Sequence, residues 1–232
     1  MSAMLDGLYG AIQTFGNLVA GMDHLDEFML KFFPFVLLLE LSFYLMIVLG
    51  VLKNAVMHTH PADDPVYFPR VSCGLLCYAE GKVVQLSIRS LVEQIYPGHI
   101  EILVVIDGAI QNHETTEAVM EMKDYVAQHA NRSLVIVPKR QRGGRVSSLN
   151  TILELNSSEI VMALDGDTSF DNIMVRAAVR HFHDPNVVAV AGNLRVRNAK
   201  ASIIAGLQAI EYMLAIHLSK IALSEFNVVN NV

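Results

Sequence analysis

Two kinds of hydrophobic pattern run along this chain. Phe32 to Leu52, FFPFVLLLELSFYLMIVLGVL, is apolar without a period, interrupted by Glu40 and a few mild residues. At about 1.5 Å per residue such a helix is roughly 31 Å long, and a hydrocarbon core is about 30 Å thick. The segment reads as a transmembrane helix over 32–52. It lies behind acidic Asp23, Asp26 and Glu27 rather than a basic terminus, which separates it from a cleaved signal peptide. Glu40 at mid-membrane would cost about 2.5–3.5 kcal/mol on insertion scales, so it is expected to be protonated or to face another helix. A buried core helix is the alternative.

From Val71 short apolar runs alternate with amphipathic ones. Strands are expected at 71–78, 101–107, 134–138, 159–165 and 187–196, and helices at 82–95, 114–130, 145–155 and 171–183. In the first of these helices Val84, Ile88, Leu91 and Ile95 share one face, and Tyr96-Pro97-Gly98 stops it. Strands that are near-continuously apolar and alternate with helices imply a mostly parallel, Rossmann-like sheet covered on both faces. Ligands bind such sheets at the carboxyl ends of the strands. Ile203, Leu207, Ile210, Leu214, Leu218 and Ile221 then mark a long amphipathic helix, which could pack on the sheet or lie at a bilayer surface. Residues 1–31 are a leader, with Leu5, Leu8, Ile12 and Phe15 at roughly helical spacing; an interfacial helix and a poorly ordered run both remain open. Residues 53–69 form the linker, and THPADDPVYFP (59–69) is its hinge.

Composition narrows the partners. The chain has 232 residues, 53% hydrophobic, with net charge −6 and pI ≈ 5.8, which argues against a general nucleic-acid surface. Lys53 and Arg70 follow the apolar helix, so the positive-inside tendency puts the C-terminal domain on the cytoplasmic side of a cell membrane. Cys73 and Cys77 are four apart in one strand, face the same way, and are expected to pack as small apolar thiols.

The candidate chemistry sits where strands end. Glu80, Asp107, Lys139 and the pair Asp165/Asp167 fall along one rim. Two carboxylates two residues apart, with Gly166 giving the turn freedom to fold back, suit a hard divalent cation completed by water and phosphate oxygens. A plain Asp-rich turn, with Asp171 as a helix cap, is the bland alternative. PKRQRGGRVSSLN (138–150) concentrates Lys139, Arg140, Arg142 and Arg145 around two glycines and offers the following helix N-terminus to an anion. It is not a Walker loop. Acids at several strand ends plus a basic glycine loop fit a metal-bound nucleoside diphosphate.

With YAE (78–80), IDGA (106–109), GGRVSSLN (143–150) and DGDT (165–168) in that order, the chain resembles the family 2 glycosyltransferases of GT-A fold. VAVAGNLRVRN (188–198) and the helix with EYMLAIHLSK look like the membrane-embedded processive branch of hyaluronan, chitin, cellulose and poly-N-acetylglucosamine synthases. The resemblance implies a nucleotide-sugar-binding domain over 70–200 and, over 201–232, an amphipathic helix leading to an acceptor and catalytic-base region. It implies metal-dependent, inverting transfer from a UDP-sugar, with a leaning to UDP-GlcNAc, onto a growing polysaccharide at the lipid bilayer. Glu80 and Asp107 would line the uridine pocket, Arg145 would lie near the diphosphate, Asp165 near ribose and metal, and Asp167 would ligate Mg²⁺ or Mn²⁺. Ile106 stands where the family's first Asp is usual, and Ala79 and Ala109 replace Asn and Ser. The general base is expected beyond Val232, so this stretch alone would bind donor without elongating a polymer. Rival readings are a non-processive transferase to a lipid phosphate, a non-catalytic membrane-anchored binding module, and a phosphatase of the D-x-D-x-T type.

Overall fold

The computed structural model describes residues 9–10, 12–14, 16–17, 20, 24–57, 66–226 and 228. About half of the leader over 1–31, and residues 59–65 of the hinge over 59–69, fall outside them. Two compact units divide the chain, Ala62–Gly192 on one hand and Met1–Pro61 with Asn193–Val232 on the other.

In the first unit the strands are β1 (Val71–Cys77), β2 (Ile100–Ile106), β3 (Arg132–Pro138) and β4 (Ile160–Asp165), all parallel in the order β3-β2-β1-β4. β1 is central and buried at every position. A 3-10 turn (Gly81–Val83) leads into α2 (Val84–Val92), whose Val84, Ile88, Leu91 and Val92 are buried. They join α3 (His113–Met120), α4 (Lys123–Ala127) and α6 (Met174–Val179) over one face of the sheet. α5 (Gly144–Leu155) covers the other face through Ile152 and Leu149, against Leu76, Leu103 and Val105. Cys73 and Cys77 are free thiols buried in the larger core.

Three expectations change. The helix expected over 114–130 is split into α3 and α4. Its backbone tightens where Met122 N donates to Val119 O at 3.1 Å, and Val119, Met122 and Val126 all stay buried. The helix over 82–95 stops at Val92, ahead of the Tyr-Pro-Gly signal. The Arg132 guanidinium from β3 meets the carbonyls of Val92 (3.1 Å), Gln94 (2.8 Å), Tyr96 (3.2 Å) and Gly98 (3.3 Å) there. Residues 187–196 form no strand, since no described strand gives them a ladder partner; an apolar run needs that partner to become a strand.

The second unit holds α1 (His24–Met57), longer at both ends than the expected span. Its stretch Phe28–Met57 is long and apolar enough to cross a membrane. α7 (Ile203–Tyr212) continues through a π-turn segment (Met213–Leu218) into α8 (Ser219–Ser224). α8 packs on α1 closely enough that a Cβ on Gly50 would lie 2.7 Å from Ala222. Lys53 and Asn54 hold Glu225 beside that contact, at 3.3 and 2.8 Å.

Candidate active site

The sheet order places β1 and β4 side by side although they are far apart in the chain. β1 leads to β2 on one side, and β3 returns across the sheet to β4 on the other. Where the strand order reverses in this way, open α/β sheets bind ligands outside the carboxyl ends of the strands. A cleft of ≈ 400 Å³ lies at this place, and Tyr78, Glu80, Asp107, Arg142, Arg145, Asp165 and Asp167 all line it. The four acids expected at one rim therefore do share it.

Asp107 follows β2 and is only 5% exposed. Its Oδ1 accepts from Gly143 N and its Oδ2 from Gly144 N, both at 2.8 Å, while Lys139 Nζ stands 3.2 Å from Oδ1. Lys139 also donates to Ser147 Oγ at 2.7 Å. Burial works to raise the Asp107 carboxyl, but the two N–H groups and Lys139 outweigh it and hold it below the usual carboxylate range. The anion at the start of α5 is thus an aspartate of the chain itself. Gly144 carries φ +80, which turns the loop into the helix; a Cβ on Gly143 would meet Ser147 Oγ at 2.6 Å and Lys139 Nζ at 2.9 Å.

From this loop two arginines cross to the opposite wall. Arg142 lies over the Tyr78 ring, 4.0 Å from its centroid, and donates to the Tyr78 hydroxyl at 3.2 Å. Arg145 pairs with Asp165, Nη1 to Oδ1 at 2.8 Å, with both side chains well exposed at 70% and 49%. Glu80 Oε2 accepts from Tyr78 N at 2.6 Å. Burial pushes the Glu80 carboxyl up, and the charges of Asp167 and Asp165 add to this against hydrogen bonds from its own and the Tyr78 backbone.

Asp165 and Asp167 flank Gly166, whose N donates to Leu76 O (3.0 Å) and whose O accepts from Ser87 Oγ (2.7 Å). Gly166 does not have a positive φ; it is glycine because a Cβ would sit 2.5 Å from Cys77 Sγ. Both carboxylates are exposed to the cleft. Among the described residues no three His, Cys, Asp or Glu side chains gather into a metal-holding group, so a cation here would take further oxygens from water or a ligand. Two hard carboxylate donors beside an arginine-lined cleft fit a divalent cation in that manner. Asp171 caps the next turn, its Oδ1 accepting from Ile173 N at 3.1 Å.

Tyr78, quoted within YAE but given no role of its own, lines the cleft. An aromatic ring one step past a central parallel strand was its available signal. Lys139, grouped with the loop arginines by charge, turns inward to Asp107 instead.

A family model described as Glycosyl transferase family 2 matches residues 72–225, well over half of the chain. The chain is 32% identical over 139 residues to the poly-beta-1,6-N-acetyl-D-glucosamine synthase of Staphylococcus aureus (strain COL), covering 60% of this chain and 31% of that protein. It is 34% identical over 143 residues to the Staphylococcus epidermidis protein of the same name, covering 61% and 32%. The chain spans about a third of the length of these curated relatives. Among solved structures, the mannosyltransferase PcManGT from Pyrobaculum calidifontis, in complex with GDP-Man and Mn²⁺, matches with TM-score 0.55 and 27% identity, covering 70% of this chain and 47% of that one.

Proposed function

Because this chain belongs to glycosyl transferase family 2, with a GT-A-like parallel sheet, we propose that its cleft binds a nucleoside-diphosphate sugar with Mg²⁺ or Mn²⁺ for transfer to a growing polysaccharide. The donor favoured is UDP-GlcNAc, in keeping with the two staphylococcal poly-GlcNAc synthases. The observation that carries this is the meeting, around one cleft at the switch point, of two exposed carboxylates with two arginines.

In this reading Asp167 is the metal ligand and Asp165 is shared between metal and ribose. The cation, when bound, offsets charge that develops on the departing diphosphate. With Asp165 shared in this way, the exposed Arg145 guanidinium that now pairs with it would serve the diphosphate oxygens. The base stacks on the Tyr78 ring in place of the Arg142 guanidinium, which then closes over it, and Glu80 lies beside base or ribose. Transfer proceeds with inversion, and residues 70–200 do the donor half of the work: they bind, orient and neutralise. α1 crosses the cell membrane with this unit on the cytoplasmic side, the positions of Lys53 and Arg70 supporting that side.

The test is nucleotide binding by the detergent-purified chain. UDP is expected to bind in a Mn²⁺-dependent manner, and Asp167→Ala is expected to weaken it at least tenfold. Equal affinity in both proteins removes the metal from the account. A preference for GDP over UDP keeps the site and replaces the donor.

A further inference from the structure

The loop that carries Arg142 and Arg145 is held from below by a buried carboxylate. The two Asp107 oxygens accept from the amides of Gly143 and Gly144, where α5 starts, and Lys139 closes the arrangement through Asp107 and Ser147. A carboxylate 5% exposed, with two amides and an ammonium already on it, has little left to offer a base or a ribose. The amides at a helix start are also the groups that would otherwise receive a phosphate. Here an internal anion holds that place.

We infer that Asp107 is a positioning residue: it clamps Gly143 and Gly144 so that Arg142 and Arg145 stand over the cleft. This rests on the nucleotide-sugar reading of the cleft. The consequence is a division of labour within the loop. Lys139 and the two glycine amides face inward to Asp107, and recognition of the donor from this loop falls to the arginine side chains. Asparagine at 107 would still accept one amide, but its NH₂ would confront the second N–H donor and lose the ion pair with Lys139.

Two variants, Asp107→Asn and Lys139→Met, test this by amide hydrogen exchange at Gly143 and Gly144 together with UDP–Mn²⁺ affinity. Both variants are expected to speed exchange at these amides at least tenfold and to weaken UDP by similar factors. Unchanged exchange in a folded Asp107→Asn, whatever happens to UDP, overturns the inference. So does faster exchange with unaltered UDP affinity. If Asp107→Asn fails to fold, Lys139→Met is read by the same two criteria. A wild-type protein that binds neither UDP nor GDP sinks the functional reading instead, while exchange still decides what Asp107 holds.

Discussion

Gly166 lies between the two cleft aspartates with its hydrogen pressed toward Cys77. A methyl group there would meet Cys77 Sγ at 2.5 Å and Leu76 O at 3.1 Å, both in the packed end of β1. Gly144 is glycine for the other reason: a Cβ would have open space, but φ is +80. Both alanine substitutions are expected to lower stability by about 1–3 kcal/mol, one through overpacking and the other through backbone strain. Urea unfolding measures each. Adding Cys77→Ala should recover part of the loss in Gly166→Ala and none in Gly144→Ala. Glu80 shows the opposite electrostatics from Asp107. Its carboxyl is raised from an ordinary 4.5, so ionisation is disfavoured in the folded chain, and stability falls as pH rises through 4.5 to the raised value. Glu80→Gln is therefore expected to raise the urea midpoint at pH 7, the gain vanishing below about pH 4. Asp107 is lowered from 3.8; its contribution is present above that pH and is lost as acid titrates it.

Among the elements, helix ends depend on partners far away in sequence. α2 ends where Arg132, forty residues on, reaches carbonyls from Val92 to Gly98. A lysine there has the charge but not the planar fork. Arg132→Lys is expected to cost about 1–3 kcal/mol, the usual penalty for buried acceptors left unsatisfied, with helix content by circular dichroism nearly unchanged. α5 follows the same rule at its start, where Asp107 from β2 supplies the anion that its own sequence does not. α1 was legible because an apolar run needs no distant partner to announce itself. Residues 187–196 carry the apolar pattern of a strand and no strand partner, so pattern alone misjudged them.

For the molecule as a whole, the sheet order sets the cleft. β1 and β4 adjoin, and the residues at or just past their carboxyl ends, Tyr78, Glu80, Asp165 and Asp167, become neighbours although some ninety positions separate them. Binding across both walls should couple them. Mn²⁺ with UDP at about a hundred times the dissociation constant should add roughly 2.7 kcal/mol of stability, seen as a higher melting temperature of the donor-binding unit. Asp167→Asn should lose the Mn²⁺-dependent part of that increment. An equal shift in the variant would place the cation elsewhere.

What the chain order alone determined here was class and inventory. Apolar runs alternating with amphipathic ones specify a parallel α/β sheet, and acids at strand ends specify a polar rim, since both follow from local periodicity and from where a parallel sheet keeps its loops. Assignment of each charge was decided only on folding. Lys139 and Arg145 look alike in sequence, yet one lies against buried Asp107 and the other reaches exposed Asp165. Which acid is left for a ligand depends on which backbone donors come within 3 Å of it, and for Asp107 those donors arrive from a loop some thirty-six residues later. Hydrogen bonds are short-ranged and directional, so no pattern along the chain encodes them until the strands have paired.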